Sequence, residues 1–132
     1  MKPLIKLQEK IVRIMCFAPY GHNNVECLYN DLKLANLQQL NELVKVKFIY
    51  KHKHQKLPSS FNSFLTSNTA HGRYALRSLE THDFKCIWGK THFGMKMLQY
   101  EGARLWNAIP TDIRRANSLR DFVKKFKTTF FD

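Results

Sequence analysis

Residues 118–130 read Ser118-Leu119-Arg120-Asp121-Phe122-Val123-Lys124-Lys125-Phe126-Lys127-Thr128-Thr129-Phe130. Ser118 and Asp121 have the spacing of a helix capping box. At about 100° per residue, the apolar side chains of this stretch share one face of a helix. Arg120, Lys124 and Lys127 lie on the opposite side. The stretch therefore predicts an amphipathic helix with one apolar face and one basic face.

The N-terminal stretch has the same helical period. Its apolar face is formed by Leu4, Leu7, Ile11, Ile14 and Met15, with Ile5 and Val12 beside it. Charged side chains gather on the opposite side, and Pro3 suits a first helical turn because its missing N–H is not needed there. We expect an amphipathic helix of about four turns that ends near residues 18–21, where Pro19 and Gly21 stop it.

Three more helices are expected between these two. Asn23 with Glu26 and Asn36 with Gln39 both resemble capping boxes, and the first precedes a short apolar period. From Leu37 a longer helical period either ends near Tyr50 or runs on past the core into solvent. Residues 100–108 predict a further helix closed by Pro110, and a short helical turn covers residues 111–115.

Between about residues 73 and 98 the helical period is lost. Apolar residues alternate with other residues in two runs, namely Phe84, Cys86 and Trp88, and then Phe93, Met95 and Met97. Such alternation is typical of short strands. We therefore expect a mainly α fold with a small β-hairpin (α+β), built from about five helices.

Length and composition limit the classes of protein that this chain can belong to. Its 132 residues suit one domain, residues 1–132, and its formal net charge is +12. The sequence contains no run of 18 apolar residues, so no transmembrane helix is predicted. The charges at Lys6, Glu9, Lys10 and Arg13 interrupt any signal-peptide core. Three widely spaced cysteines do not form a disulfide framework. We expect an intracellular protein, neither secreted nor bound to a membrane.

The sequence contains no recognisable catalytic or metal-binding motif. The ten acidic residues are scattered rather than clustered as two-metal chemistry requires, and no GxSxG or phosphate-binding glycine loop occurs. His82, Cys86 and His92, with His71, form the densest set of potential metal ligands, but no C-x2-C pair accompanies them. We therefore expect no catalytic residues, no metal site and no cofactor.

Basic residues are concentrated in two runs, and a strongly basic chain favours nucleic acid as its partner. The candidate phosphate-binding residues are Lys45, Lys47, Lys51, Lys53, Lys56, Arg114, Arg115, Arg120, Lys124, Lys125 and Lys127. The alternative interpretation of the first run is a solvated helix end whose lysines complement the helix dipole. Trp88, Trp106 and the phenylalanines are interpreted mostly as packing residues rather than base-stacking platforms.

Several phrases, taken in order, resemble a known family. They are Leu7-Gln8-Glu9-Lys10-Ile11-Val12-Arg13-Ile14, Pro19-Tyr20, Leu57-Pro58-Ser59-Ser60-Phe61, His71 with Tyr74 and Arg77, Tyr100-Glu101-Gly102, Leu105-Trp106-Asn107-Ala108-Ile109-Pro110, and Ser118-Leu119 with residues 122–127. Over about residues 4–131 the chain resembles the C-terminal region of reverse transcriptases from LINE-class (non-LTR, jockey-like) retrotransposons. The Trp-Asn-x-x-Pro phrase followed by the basic, Phe-rich helix is the most specific part of this resemblance.

The resemblance has two departures from the family pattern. The phrase His71-Gly72-Arg73-Tyr74-Ala75-Leu76-Arg77 carries one residue more than the family's His-x-Tyr-x-Thr-Arg, with Leu76 in place of the Thr. Arg77 joins the candidate nucleic-acid-binding residues through this phrase. The family's Tyr/Phe-x-Asp-Asp turn, its polymerase palm and fingers, and its endonuclease are not present in this sequence.

The resemblance implies a non-catalytic C-terminal segment of an RNA-directed DNA polymerase. We expect it to contact the backbone of RNA or DNA weakly and without base specificity, in a nuclear or cytoplasmic ribonucleoprotein. Three alternatives stay open. The first is a structural segment that only packs on a reverse transcriptase core, and the second is a fragment of a decayed element with no function of its own. A third is that Met1 is not the true start, and that the full product includes the polymerase.

Overall fold

The structure is a computed structural model of the chain, and it describes residues 2–18, 25–67, 83–87 and 89–131. Seven α-helices lie within these ranges: α1 (Lys2–Met15), α2 (Val25–Asp31), α3 (Leu37–Lys53), α4 (His92–Met95), α5 (Leu98–Ala108), α6 (Thr111–Arg114) and α7 (Leu119–Phe130). A 3-10 turn covers Ser59–Phe61. Five of the seven helices have seven residues or more, so the predicted mainly α fold is confirmed.

Helix α3 lies at the centre of the fold. Its first turn is closed by the predicted capping box: Asn36 Oδ1 accepts the Gln39 N–H at 2.8 Å, and Gln39 Oε1 accepts the Asn36 N–H at 2.9 Å. Leu43, Val46 and Ile49 are buried on its inner side. The helix ends at Lys53, three residues after Tyr50, and Lys53 there contacts Asp83 and the Trp106 ring rather than extending past the core into solvent.

Aromatic side chains join α3 to α5 and α7. Phe122 of α7 packs against Tyr50 of α3 and Trp106 of α5, with ring centroids 4.8 and 5.6 Å away. On the outer side of α3, Phe48 makes edge-to-face contacts with Phe61 and Phe64 of the 3-10 turn region, at 5.6 and 5.5 Å. Edge-to-face and offset arrangements of this kind are the favoured geometry for aromatic pairs. α3 is therefore covered on two sides.

Helices α1 and α2 pack together beside the start of α3. Gln8 of α1 donates from Nε2 to the Ala35 carbonyl at 3.2 Å and accepts the Leu37 N–H at 2.8 Å. Val12 of α1 and Leu28 of α2 are buried. The predicted helix α1 is confirmed, but the side that it turns inward carries Gln8 and Val12. The apolar face predicted from Leu4, Leu7, Ile11, Ile14 and Met15 is exposed.

The prediction of a β-hairpin within residues 73–98 is wrong for the part of that stretch that the structure describes. Phe84 forms only an isolated antiparallel bridge with Ser67. Residues 92–95 form α4 because Thr91 caps them, its hydroxyl oxygen accepting the Gly94 N–H at 3.0 Å. Phe93 is 83% exposed, so the alternation that suggested a strand marks no buried face. Residues 73–82 and Trp88 lie outside the described residues.

Two further expectations concern the thiols and the membrane. Cys16, Cys27 and Cys86 are free. Among the described helices none is both long and apolar enough to cross a bilayer. Asn23 of the first predicted capping box lies outside the described residues, although the short helix predicted after it is present as α2.

Candidate nucleic-acid interface

A carboxylate at the edge of the core ties together three helices. Asp83 Oδ2 accepts hydrogen bonds from Lys53 Nζ of α3 at 2.6 Å and from the indole N–H of Trp106 at 2.8 Å. The same oxygen lies 3.2 Å from a guanidinium nitrogen of Arg114 in α6. Two cations and one neutral donor therefore converge on one oxygen.

This convergence determines the ionisation of Asp83. Burial alone would raise its pKa, but the hydrogen bonds from Lys53 and Trp106, together with the charges of Lys53 and Arg114, outweigh burial. The pKa of Asp83 is held below its usual value as a result. The group is an anion at neutral pH and fixes the position of its three partners.

Asn107 holds the same segment of chain from the next position of α5. Its Nδ2 donates to the Phe84 carbonyl at 2.8 Å, and its Oδ1 accepts the Phe84 N–H at 3.3 Å. Phe84 is thus paired on both backbone groups by one amide side chain, as a neighbouring strand would pair it. Trp106 and Asn107 together clamp residues 83–84 to α5.

Three phrases that carry the resemblance therefore serve packing in this fold. Trp106 and Asn107 form the clamp just described. Glu101 pairs with Lys45, and a Cβ added at Gly102 would lie 3.0 Å from Ile49 Cδ1, so α5 approaches α3 closely there. Phe61 of the Leu57–Phe61 phrase packs on the outer side of α3.

Several predicted phosphate-binding cations are engaged by carboxylates within the chain. The side chain of Arg114 is only 6% exposed and pairs with Asp83. Lys53 pairs with the same carboxylate and lies 5.5 Å over the Trp106 ring. Lys45 Nζ lies 2.7 Å from Glu101 Oε2 with 18% of the side chain exposed. These three cations stabilise the fold, and phosphate would have to compete with their carboxylates.

A hydrogen bond between α3 and the loop before α7 brings the two basic runs together. The Tyr50 hydroxyl donates to the Ala116 carbonyl at 2.8 Å, across 66 residues. Burial, and then the charge of Asp121, raise the pKa of Tyr50, so the hydroxyl keeps its proton as a donor. Lys56 Nζ lies 5.8 Å from the centroid of the Tyr50 ring. We call this region, formed by Tyr50, Lys56, Arg115 and Ala116, the Tyr50 junction.

His54 lies beside the Tyr50 ring, where both burial and the nearby lysines act on its pKa. Its ring stacks at 4.2 Å from the Tyr50 ring. Its pKa is lowered, first by desolvation and then by the charges of Lys56 and Lys53. The imidazole is consequently neutral at pH 7, and an anion bound beside these lysines would reverse part of the shift.

Helix α7, which begins three residues after Ala116, carries a second row of cations. Arg120, Lys124 and Lys127 are exposed on the side opposite the buried Phe122 and Phe126, as predicted. At 1.5 Å of rise per residue, Arg120 and Lys124 lie about 6 Å apart along the axis and Lys127 about 4.5 Å further on. These three form the α7 row.

The remaining candidates divide by exposure. Lys125 pairs with Asp121 one turn earlier, at 3.1 Å. Lys56 and Arg115 are exposed, and Lys47 and Lys51 are half-buried on the outer side of α3. Arg77 lies outside the described residues. The exposed candidates that no described carboxylate engages therefore lie at the Tyr50 junction and on the α7 row.

Sequence reasoning missed Asp83, whose carboxylate contacts three helices. Asp83 stands alone between His82 and Phe84, and no spacing marks it as the partner of residues 53, 106 and 114. Within the described ranges, no three His, Cys, Asp or Glu side chains group as a metal site. His71 and His82 of the weighed metal set lie outside those ranges.

Comparison with known proteins leaves the origin of the chain open. The chain matches no protein-family model, no curated protein and no solved structure. The resemblance to LINE-class reverse transcriptases therefore stays a prediction.

Proposed function

We propose that this chain is a non-catalytic module that binds the phosphate backbone of RNA or DNA without base specificity. In this proposal it corresponds to the C-terminal segment of a LINE-class reverse transcriptase. The observation that supports the proposal most directly is the Tyr50–Ala116 hydrogen bond, which joins the end of α3, where Lys56 lies beside the Tyr50 ring, to the loop that contains Arg115 and precedes α7.

Charge supports this choice of ligand. The net charge is +12, and residues 45–56 contain no acidic side chain. The exposed candidate cations come from one helix, α7, and from the loops that follow α3 and α6, as in proteins that follow a sugar–phosphate backbone rather than read base edges. No aromatic side chain among the described residues of the junction is exposed as a base-stacking platform, since Tyr50 is buried.

The carboxylate-bound cations limit the expected affinity. Arg114, Lys53, Lys45 and Lys125 are engaged by carboxylates, and Lys47 and Lys51 are half-buried. About five cations of the two runs then remain for phosphates, and a single strand would give a log–log salt slope of about −3.5. Such a slope corresponds to weak binding near physiological salt. It is shallower than the slope expected if every basic residue of the two runs met a phosphate.

Fluorescence anisotropy of the 132-residue chain with labelled single-stranded RNA, single-stranded DNA and duplex DNA tests the proposal. The titrations run from about 50 to about 300 mM salt. The test variant is the triple charge reversal Lys56→Glu, Arg115→Glu and Lys124→Glu. The matched control reverses Lys85, Lys90 and Lys96, which are also exposed, lie before α5 and are not among the candidate phosphate-binding residues.

Both triple variants have the same net charge, so they separate position from total charge. We expect the junction variant to lose about tenfold or more in affinity and the control about threefold or less, because local phosphate contacts exceed the long-range field. Equal losses in the two variants would mean that any basic surface binds equally well, and the proposed interface would be rejected.

A further inference from the structure

The exposed apolar face of α1 contains a regular seam. Leu4, Leu7, Ile11 and Ile14 are between 48% and 64% exposed. Their spacing of three, four and three residues is that of the a and d positions of two heptads. We call these four residues the α1 seam.

Contacts on the neighbouring side of α1 prevent the helix from rotating to bury the α1 seam in the core. Both polar atoms of the Gln8 side chain are bonded to the chain between α2 and α3, and Val12 is buried. Rotating α1 to bury the seam would break both hydrogen bonds and expose Val12. The seam is consequently held outward by contacts on the neighbouring side of the same helix.

The shape of the seam suits one helix. It forms a stripe along the 14 residues of α1, about 21 Å, with Met15 and Ile5 exposed beside it, and an a/d stripe is complementary to the knobs of a single facing helix. A membrane surface would instead favour a broad apolar face with Trp or Tyr at the headgroup level. α1 contains no aromatic residue.

Charges beside the seam indicate the chemistry of that helix. Lys10 is adjacent to the seam on the side away from Val12, and Lys6 and Arg13 follow it around the helix. Lys6 and Lys10 are exposed. A facing helix with Glu or Asp beside its own apolar seam would pair with these cations, whereas a second copy of this chain would bring +12 against +12.

We propose that the α1 seam docks an amphipathic helix with acidic flanks from another protein, in a two-helix coiled-coil contact. This contact lies on a different surface from the Tyr50 junction and goes beyond the proposed nucleic-acid binding. Two heptads bury a small interface, so the contact is a weak one or part of a larger assembly.

Three labelled probes, each a designed helical peptide of about 21 residues, test the proposal with the full 132-residue chain. The first has Leu and Ile at a and d with Glu at e and g. The second has the same a and d residues with Lys at e and g. The third keeps Glu at e and g but has Ser at a and d. Binding is followed by fluorescence anisotropy.

The first probe is expected to bind about tenfold or more tightly than either of the others, because only it satisfies both the seam and its flanking charges. The double variant Leu7→Ser/Ile11→Ser is expected to lose that binding. The matched control is Leu40→Ser/Val44→Ser, which removes two apolar side chains that are 40% and 64% exposed on α3. The control is expected to bind as the parent does.

A charge swap gives the sharpest readout. Lys6→Glu/Lys10→Glu is expected to reverse the preference, so that the Lys-flanked probe binds more tightly than the Glu-flanked one. Three results would overturn the proposal: equal binding of the first and third probes, sedimentation of the parent as a dimer that the Leu7→Ser/Ile11→Ser variant abolishes, and binding to anionic phosphatidylserine vesicles that the same variant abolishes. The second result would assign the seam to self-association and the third to a membrane surface.

Discussion

The indole N–H of Trp106 donates to the carboxylate of Asp83 at 2.8 Å, and this bond joins α5 to a segment 23 residues earlier. The Trp106 ring is fully buried and packs on Phe122, so the carboxylate reaches the edge of the aromatic core. Arg114 and Lys53 neutralise Asp83 from two other helices. One acidic side chain therefore contacts α3, α5 and α6 and links them.

Asp83→Asn is expected to lower the free energy of unfolding by about 2 kcal/mol, because it leaves the buried Arg114 charge without its carboxylate. The cost stays below that of a fully buried pair because Asp83 is itself partly exposed. Urea unfolding followed by circular dichroism measures the change. Asp112→Asn, on an exposed carboxylate of α6, is the matched control. A loss as large in the control as in Asp83→Asn would contradict the role given to Asp83.

The pH dependence of stability follows from the lowered pKa of Asp83. Because its pKa in the folded state lies below the unfolded value of 3.8, the folded state binds the proton less readily than the unfolded state does. Asp83 therefore contributes its full stabilisation above about pH 5 and loses it as pH falls through 3.8 and below. Urea unfolding at a series of pH values should show the gap between the parent and Asp83→Asn narrowing in that window. A gap that stays constant down to pH 3 would contradict this prediction.

Tyr50→Phe is expected to destabilise the chain by about 1–2 kcal/mol, because it leaves the buried Ala116 carbonyl without its donor. The ring contacts with Phe122 and Trp106 remain, so the variant should fold. Chemical denaturation gives the stability. Nucleic-acid affinity, measured on the folded variant, is expected to fall because the Tyr50 junction loosens. Unchanged affinity would show that the two basic runs stay together without this bond.

Gly102→Val is expected to cost about 1–3 kcal/mol, because branched atoms at this position would push α5 away from α3. An added Cβ alone would lie 3.0 Å from Ile49 Cδ1 and 3.3 Å from Leu98 Cδ1. Gly102→Ala should cost less, since the end of the Ile49 side chain can shift and alanine has the higher helix propensity. Thermal unfolding of both variants checks the order, and a valine variant as stable as the alanine variant would contradict it.

Lysines that looked equivalent in the sequence are expected to behave differently in binding. Lys56→Gln should weaken RNA binding and reduce the log–log salt slope by about 0.7, the value for one lost phosphate contact on a single strand. Lys45→Gln should leave the slope unchanged, because Lys45 is already bonded to Glu101. Anisotropy titrations across a salt series measure both slopes. Equal changes in the two variants would show that the Glu101 pair opens on binding.

Local patterns were sufficient to predict helices α3 and α7, whose first turns are capped by nearby side chains. Asn36 with Gln39 and Ser118 with Asp121 mark the beginnings of α3 and α7, because capping depends on residues only three positions apart. The apolar period of α7 also predicted its buried face, where Phe122 and Phe126 lie. Alternation at residues 93, 95 and 97 was misleading, because such a pattern does not contain the Thr91 cap that starts α4.

Contacts between distant residues were beyond any local pattern. The amino-acid sequence was enough to predict a basic, mainly helical chain, because charge is a sum over residues and helix formation depends on neighbours a few positions apart. Folding selected Asp83 as the partner of Lys53, Trp106 and Arg114 and turned the α1 seam outward. Folding likewise left Lys56 exposed and engaged Lys45, because a cation's availability depends on which carboxylate the packing of helices brings beside it.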